Sequence, residues 1–165
     1  MKRDTGAVLE AGPAEAVDRS PFIHRVIRIE TTTPAGYVDL TDELSRLVAQ
    51  AHVGNGLLHV QTRHTTTGLL INECEPLLLA DIDQRLERWA AAGDDYGHDD
   101  PSKRTVNLVP GERRNGHAHC RAMLFRASET VHIVDGRLAL GRWQRVMFVE
   151  LDGPQSREVS VMIQS

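Results

Sequence analysis

The C-terminal half of this 165-residue chain leaves the fewest architectures open. From His117 onward apolar residues recur with a period of two, through HAHCRAMLFRA, ETVHIV, RLALGRWQRVMFVELDG and REVSVMI. Successive side chains point to opposite faces of a strand, so this period specifies sheet. Asp135-Gly136 reads as a two-residue hairpin turn and Asp152-Gly153-Pro154 as a second connection, which makes the sheet antiparallel. The N-terminal half reads differently. Phe22 to Thr31 alternates as a strand with one face partly exposed, and then Leu44, Leu47, Val48 and Ala51 take the i, i+3, i+4, i+7 spacing of an amphipathic helix. Thr41 is its candidate cap, and Gly54-Asn55-Gly56 ends it. Leu57 to Thr67 forms another strand. Pro76 opens a second helix, with Leu78, Ile82, Leu86 and Trp89 on its apolar side. The expectation is one sheet-rich α+β domain over residues 22–165, largely antiparallel, with two amphipathic helices. Residues 1–21 have no period and contain Gly12-Pro13, so they are expected to form a mobile tail.

Composition narrows the function classes. At 41% hydrophobic and 25% charged residues the chain resembles an ordinary globular protein. A net charge of -4 with scattered Lys and Arg argues against nucleic acid as a partner. No window is long and apolar enough for a membrane span, and no signal-peptide core is present, so no membrane and a cytoplasmic location are expected. Cys74 and Cys120 fit no CxxC pattern and are expected as free thiols. GxSxG, P-loop and GxGxxG sequences are absent.

The segment Arg63 to Glu75, RHTTTGLLINECE, joins polar chemistry to a buried run. On a straight strand His64 and Asn72 would stand roughly 26 Å apart, too far for one small site unless the chain bends or a second subunit contributes. Thr65, Thr66 and Thr67 carry hydroxyls suited to phosphate oxygens, although threonine also simply favours strands. Glu73 is either a general base or a cap for the following helix. His117-Ala118-His119, read as a strand, puts two imidazoles on one face about 6.6 Å apart, within reach of one metal ion. His64 and His98 are the candidates to complete that set. Arg121, two residues beyond His119, adds a charge for an anionic substrate. The acidic loop DDYGHDD could instead bind Mg²⁺ through carboxylates.

HTTTGLLINECEP, GHAHCRAML and VDGRLALGRWQRVMFVELDGP, in this order, resemble the YjbQ-like family, also called the secondary thiamine-phosphate synthase family. The resemblance spans roughly Phe22 to Ile163. It implies a small YjbQ-like α+β protein that assembles as a homotrimer, with a divalent metal (zinc or magnesium) and a small phosphorylated substrate near the subunit contacts. The implied activity joins a hydroxymethylpyrimidine diphosphate to a thiazole phosphate. His64, His98 and His119 match the family's histidines, Asn72 and Glu73 its Asn-Glu, and Gln144 the glutamine after its tryptophan; His117 is an additional histidine. The resulting expectation is a metal held by His64, His98 and His119 with His117 in support. Thr65 to Thr67, Asn72, Arg121 and Gln144 would hold substrate, and Glu73 and His64 would be catalytic. A non-enzymatic metal- or phosphometabolite-binding trimer and a metal-dependent hydrolase are the alternatives.

Overall fold

The computed structural model describes residues 9–11 and 22–165. Among them the order is β1 (Leu9–Ala11), β2 (Phe22–Glu30), β3 (Gly36–Asp39), α1 (Thr41–Ala51), β4 (Gly56–Thr62), β5 (Thr67–Asn72) and α2 (Pro76–Trp89). There follow a 3₁₀ turn (Gly97–Asp99), α3 (Gly116–Ala122), β6 (Ser128–Val134), β7 (Arg137–Leu138), β8 (Arg145–Glu150) and β9 (Ser156–Gln164). The tail expected over residues 1–21 lies largely outside the described residues; within it, Leu9–Ala11 pairs with β2, Leu9 opposite Ile29.

The described strands form two antiparallel sheets, ordered β1-β2-β9-β4-β6-β7 and β3-β8-β5. Sequence alternation decides the layering. Along β8, Val146 and Phe148 enter the core against the larger sheet, while Met147 and Val149 enter a second core against α2 and α3. All four are fully buried, and a side chain so placed contributes about 1.5–3 kcal/mol. β5 behaves likewise, with Leu69 and Ile71 facing one core and Leu70 the other. The smaller sheet is therefore a middle layer buried on both sides, which is why neither face of the RHTTTGLLINECE run is cleanly apolar. Gly68 is required there, because a Cβ at that position would stand 2.3 Å from Phe125 Cβ.

The predicted hairpin is present: Asp135 and Gly136, both at positive φ, link β6 to β7. Helix α1 is capped differently from the expectation. Asp39 Oδ1 accepts the Thr41 N–H at 3.0 Å, which leaves Thr41 Oγ1 to accept the Val146 N–H at 2.8 Å. The larger correction concerns His117 to Ala122, expected as strand and found as α3. Ala118, Arg121 and Ala122 face inward at i, i+3 and i+4, a spacing that fits α3's seven residues as well as strand alternation does. Asp99 resolves the ambiguity, since its Oδ1 accepts the N–H groups of both Asn115 and Gly116 at 2.9 Å and so starts the helix.

Candidate functional site

Between β4 and β5 the chain leaves the larger sheet for the smaller one, turning through Arg63 to Thr66. That bend is the first wall of a cleft of about 570 Å³. Thr65 and Thr66 line it from the turn, His98 from the 3₁₀ turn, Asn115 from the start of α3 and His119 from within it, Asp152 and Gln155 from the β8–β9 connection, and Arg157 from β9. A loop closes the far side through Arg104, which is tied to Glu112 at 2.7 Å, and Arg113, which donates to the carbonyls of Asp152 and Gly153.

The floor is a buried ion pair. Arg157 Nε and Nη2 each donate to the Glu150 carboxylate at 2.7 Å, and Nη2 also reaches Thr66 Oγ1 at 3.2 Å. Glu150, 1% exposed, takes further bonds from Thr31 and from the N–H groups of Leu151 and Asp152. Such full satisfaction is what a buried carboxylate requires. Nε and Nη2 are committed to Glu150 and Thr66, and Arg157 also lines the cleft. In the same cleft the His98 and His119 rings meet edge to face, centroids 4.6 Å apart. His98 Nε2 is buried without a hydrogen-bond partner among the described residues, as is Asn115 Oδ1, an arrangement that costs about 1–3 kcal/mol per group when unmet. Burial and then the neighbouring His98 push the His119 imidazole below its ordinary range, so it is neutral at pH 7.

The expected site residues divide sharply. His98, His119, Thr65 and Thr66 come together in the cleft. His64 is one turn away, but its Nε2 already accepts the Glu158 N–H at 2.9 Å and does not line the cleft. His117 is separated from His119 by the helix: residues i and i+2 share a strand face but not a helix face, and His117 lies against Tyr96 instead. Arg121 also turns away, donating to Ala90 O and the Glu87 carboxylate. Thr67 Oγ1 is buried against Thr62 Oγ1 and His64 O. Asn72 ends β5 and Glu73 follows it, far from the cleft, where Glu73 lines a small groove with Arg142 and Trp143; Gln144 Oε1 accepts the Gly141 N–H. The cap on α2 is Glu75, bonded to the N–H groups of Leu77 and Leu78, and not Glu73. Nor is DDYGHDD a carboxylate cage: Asp99 starts α3, and Asp100 is held at about pKa 2 by Ser102 and Lys103. Among the described residues no three His, Cys, Asp or Glu side chains are placed to hold one ion.

Sequence reasoning missed Arg157, Asn115, Asp152 and Gln155. Arg157 did leave a signal, as a lone charge on the strand face that Val159, Val161 and Ile163 give to the core.

A two-sheet α+β domain with a histidine- and arginine-lined cleft at the sheet crossover is the class these observations define. The family model described as UPF0047 protein YjbQ-like matches residues 25–165, and the chain belongs to that family. It is 38% identical to a UPF0047 protein of Archaeoglobus fulgidus, over 82% of this chain and 96% of the relative. A crystal structure from Sulfolobus solfataricus superposes with a TM-score of 0.75 at 28% identity, covering 86% of this chain and 96% of that one. A Clostridium acetobutylicum structure gives 0.71 at 32%, covering 84% and 98%. The relatives carry family names, and the Sulfolobus protein is described as of unknown function. The thiamine-phosphate synthase activity implied by the resemblance is thereby overturned, since none of these relatives supports it. No helix among the described residues is long and apolar enough to cross a membrane.

Proposed function

We propose that the cleft binds a small phosphorylated ligand together with a divalent metal ion. His98 and His119 hold the ion, and Arg157 with Thr65 and Thr66 receives the phosphate. The observation that carries this reading is the meeting of two close imidazoles with a fixed, buried guanidinium in one cleft. Imidazole suits zinc better than magnesium, which prefers oxygen donors. Burial favours the neutral, ligating form of His119, and the orphaned His98 Nε2 gains a partner on metal binding. Charge balance supports pairing ion with anion. Three arginines line the cleft against Glu112 and Asp152, and Arg157 is neutralised from below by Glu150, so the protein alone offers little net attraction to phosphate. A bound divalent ion supplies the missing positive charge.

Two protein ligands leave a tetrahedral ion incomplete. The ligand, or a second copy of the chain in the expected homotrimer, supplies the remaining donors. The free thiols of Cys74 and Cys120 support a cytoplasmic, reducing setting. Metal content of the purified protein, measured beside His98→Ala and His119→Ala, tests the assignment. Stoichiometric zinc in the wild type, lost in both variants but kept in His64→Ala, is the expected result. Equal metal in all four proteins overturns it.

A further inference from the structure

His64 is the residue of the opening motif that the cleft does not use directly, yet its ring joins two of the cleft's walls. It sits in the turn that carries Thr65 and Thr66, and its Nε2 accepts the N–H of Glu158, the residue after Arg157 on β9. The turn is braced from its other side as well, because Thr67 Oγ1 donates to His64 O at 3.2 Å and the His64 N–H reaches Thr62 Oγ1 at 3.4 Å. Nε2 is an acceptor here, so the ring is neutral with its proton on Nδ1. A second proton on the ring would place N–H against N–H, and the Glu158 bond could not survive.

The charges around the ring do not rescue it. Arg157 from β9 and Arg63 from the turn itself oppose a second positive charge. Glu150 from β8 and Glu158 from β9 favour one, but Glu150 is already bonded twice to Arg157, and Glu158 lies 3.6 Å from Arg28 and 3.5 Å from Arg63. Thr66 is the shared element: it belongs to the turn that His64 holds, and it accepts from Arg157 Nη2.

We infer that His64 is a positioning residue, a neutral clasp between the Thr65–Thr66 turn and β9, whose protonation unlatches that wall and weakens anion binding in the cleft. The ligand half of this inference rests on the anion site proposed above. Acid acts here by removing an acceptor, so affinity is full when His64 is neutral and falls as pH drops through its titration below 6.5.

Two readouts on the full chain separate the clasp from the anion site. Nitrogen-15 spectra report the His64 tautomer and the Glu158 amide as pH is lowered from about 7.5 to about 5, and calorimetry on protein supplied with one equivalent of zinc follows sulfate, whose charge is constant across that range. Expected are an unprotonated Nε2 at the upper end, then a drop of roughly fivefold or more in Glu158 amide protection, corrected for intrinsic exchange, as the ring titrates. Sulfate affinity is expected to fall by a similar factor relative to His64→Gln, which keeps a neutral acceptor and shares every other titrating group of the cleft, and the variant's Glu158 protection is expected to stay flat. A proton on Nε2 at neutral pH, or Glu158 protection indifferent to the His64 titration, overturns the clasp; neither reading needs the variant to fold. Sulfate that binds with the same affinity while the Glu158 bond is lost overturns the coupling. Sulfate that binds at no pH overturns the anion site and the ligand half of this inference, while Glu158 protection still decides the clasp.

Discussion

Strand β5 joins two regions that use polar residues in opposite ways. Before and at its start, Thr66 and Thr67 are buried and bonded inward, over an ion pair whose members are 1% and 4% exposed. At its end, Asn72 and Glu73 are exposed, and among the described residues the Asn72 side chain does no more than accept the Glu73 N–H. Burial makes the difference. A polar group withdrawn from water has to find every partner in the protein, so each position at the cleft end is fixed by several others, whereas water satisfies the far end whatever the side chains do. Arg157→Ala is the severest way to break this contrast. It leaves the Glu150 carboxylate buried with its counter-charge gone, and we expect it to lower the unfolding free energy by roughly 3–5 kcal/mol in urea titrations. A loss below about 1 kcal/mol would show that the ion pair does not organise the cleft.

A smaller effect tests the far end, where two neighbouring glutamates have unlike jobs. Glu75 caps α2 through two backbone N–H groups, and those bonds hold its carboxyl below the usual range; Glu73 makes no such bonds. Glu75→Ala should lower Tm by about 2–4 °C, and Glu73→Ala should leave it within about 1 °C. Equal shifts in a thermal melt would restore Glu73 as the cap. The test separates two residues that sequence reasoning could not, because either lies close enough to Pro76 to serve.

What could be read from the sequence follows from how local each cause is. The two-period runs of β2, β8 and β9, the Asp135-Gly136 turn and the Pro76 helix depend on residues within a few positions of one another, and they were legible. Helix α3 was not, because the carboxylate that starts it, Asp99, lies 16 positions before Asn115. The histidine pairing shows the same limit. A strand reading joined His117 to His119, but the helix parts them and the 3₁₀ turn brings His98 to His119 in place of His117. Asn115, Asp152 and Gln155 give no local sign of a cleft that is assembled from several separate elements. Arg157 could have been found, since an arginine in register with Val159, Val161 and Ile163 must be paired in the core.

The smallest expected effect sharpens the comparison through pH. At the far end Asp39 Oδ2 accepts from Arg145 Nε at 2.7 Å, and Oδ1 accepts the Thr41 N–H. Burial alone would raise this carboxyl, but the bonds from Arg145 and Thr41 outweigh it and hold Asp39 below its ordinary value. A folded-state value below the unfolded one gives stability that is present above about pH 4 and is lost as pH falls through the folded value. His64 follows the same rule in a higher window, because burial and Arg157 depress it from 6.5. The two regions therefore lose stability at separate acidities, the cleft end first. Arg145 is 35% exposed and water screens its pairing, so Asp39→Asn should cost less than about 1 kcal/mol at neutral pH. Urea titrations of wild type and Asp39→Asn should differ by a constant amount from pH 7 to about 4.5 and converge below, whereas the gap between wild type and His64→Gln should begin to change as pH falls below 6.5. Convergence of both pairs in one window would mean that the two regions unlatch together and are not independently held.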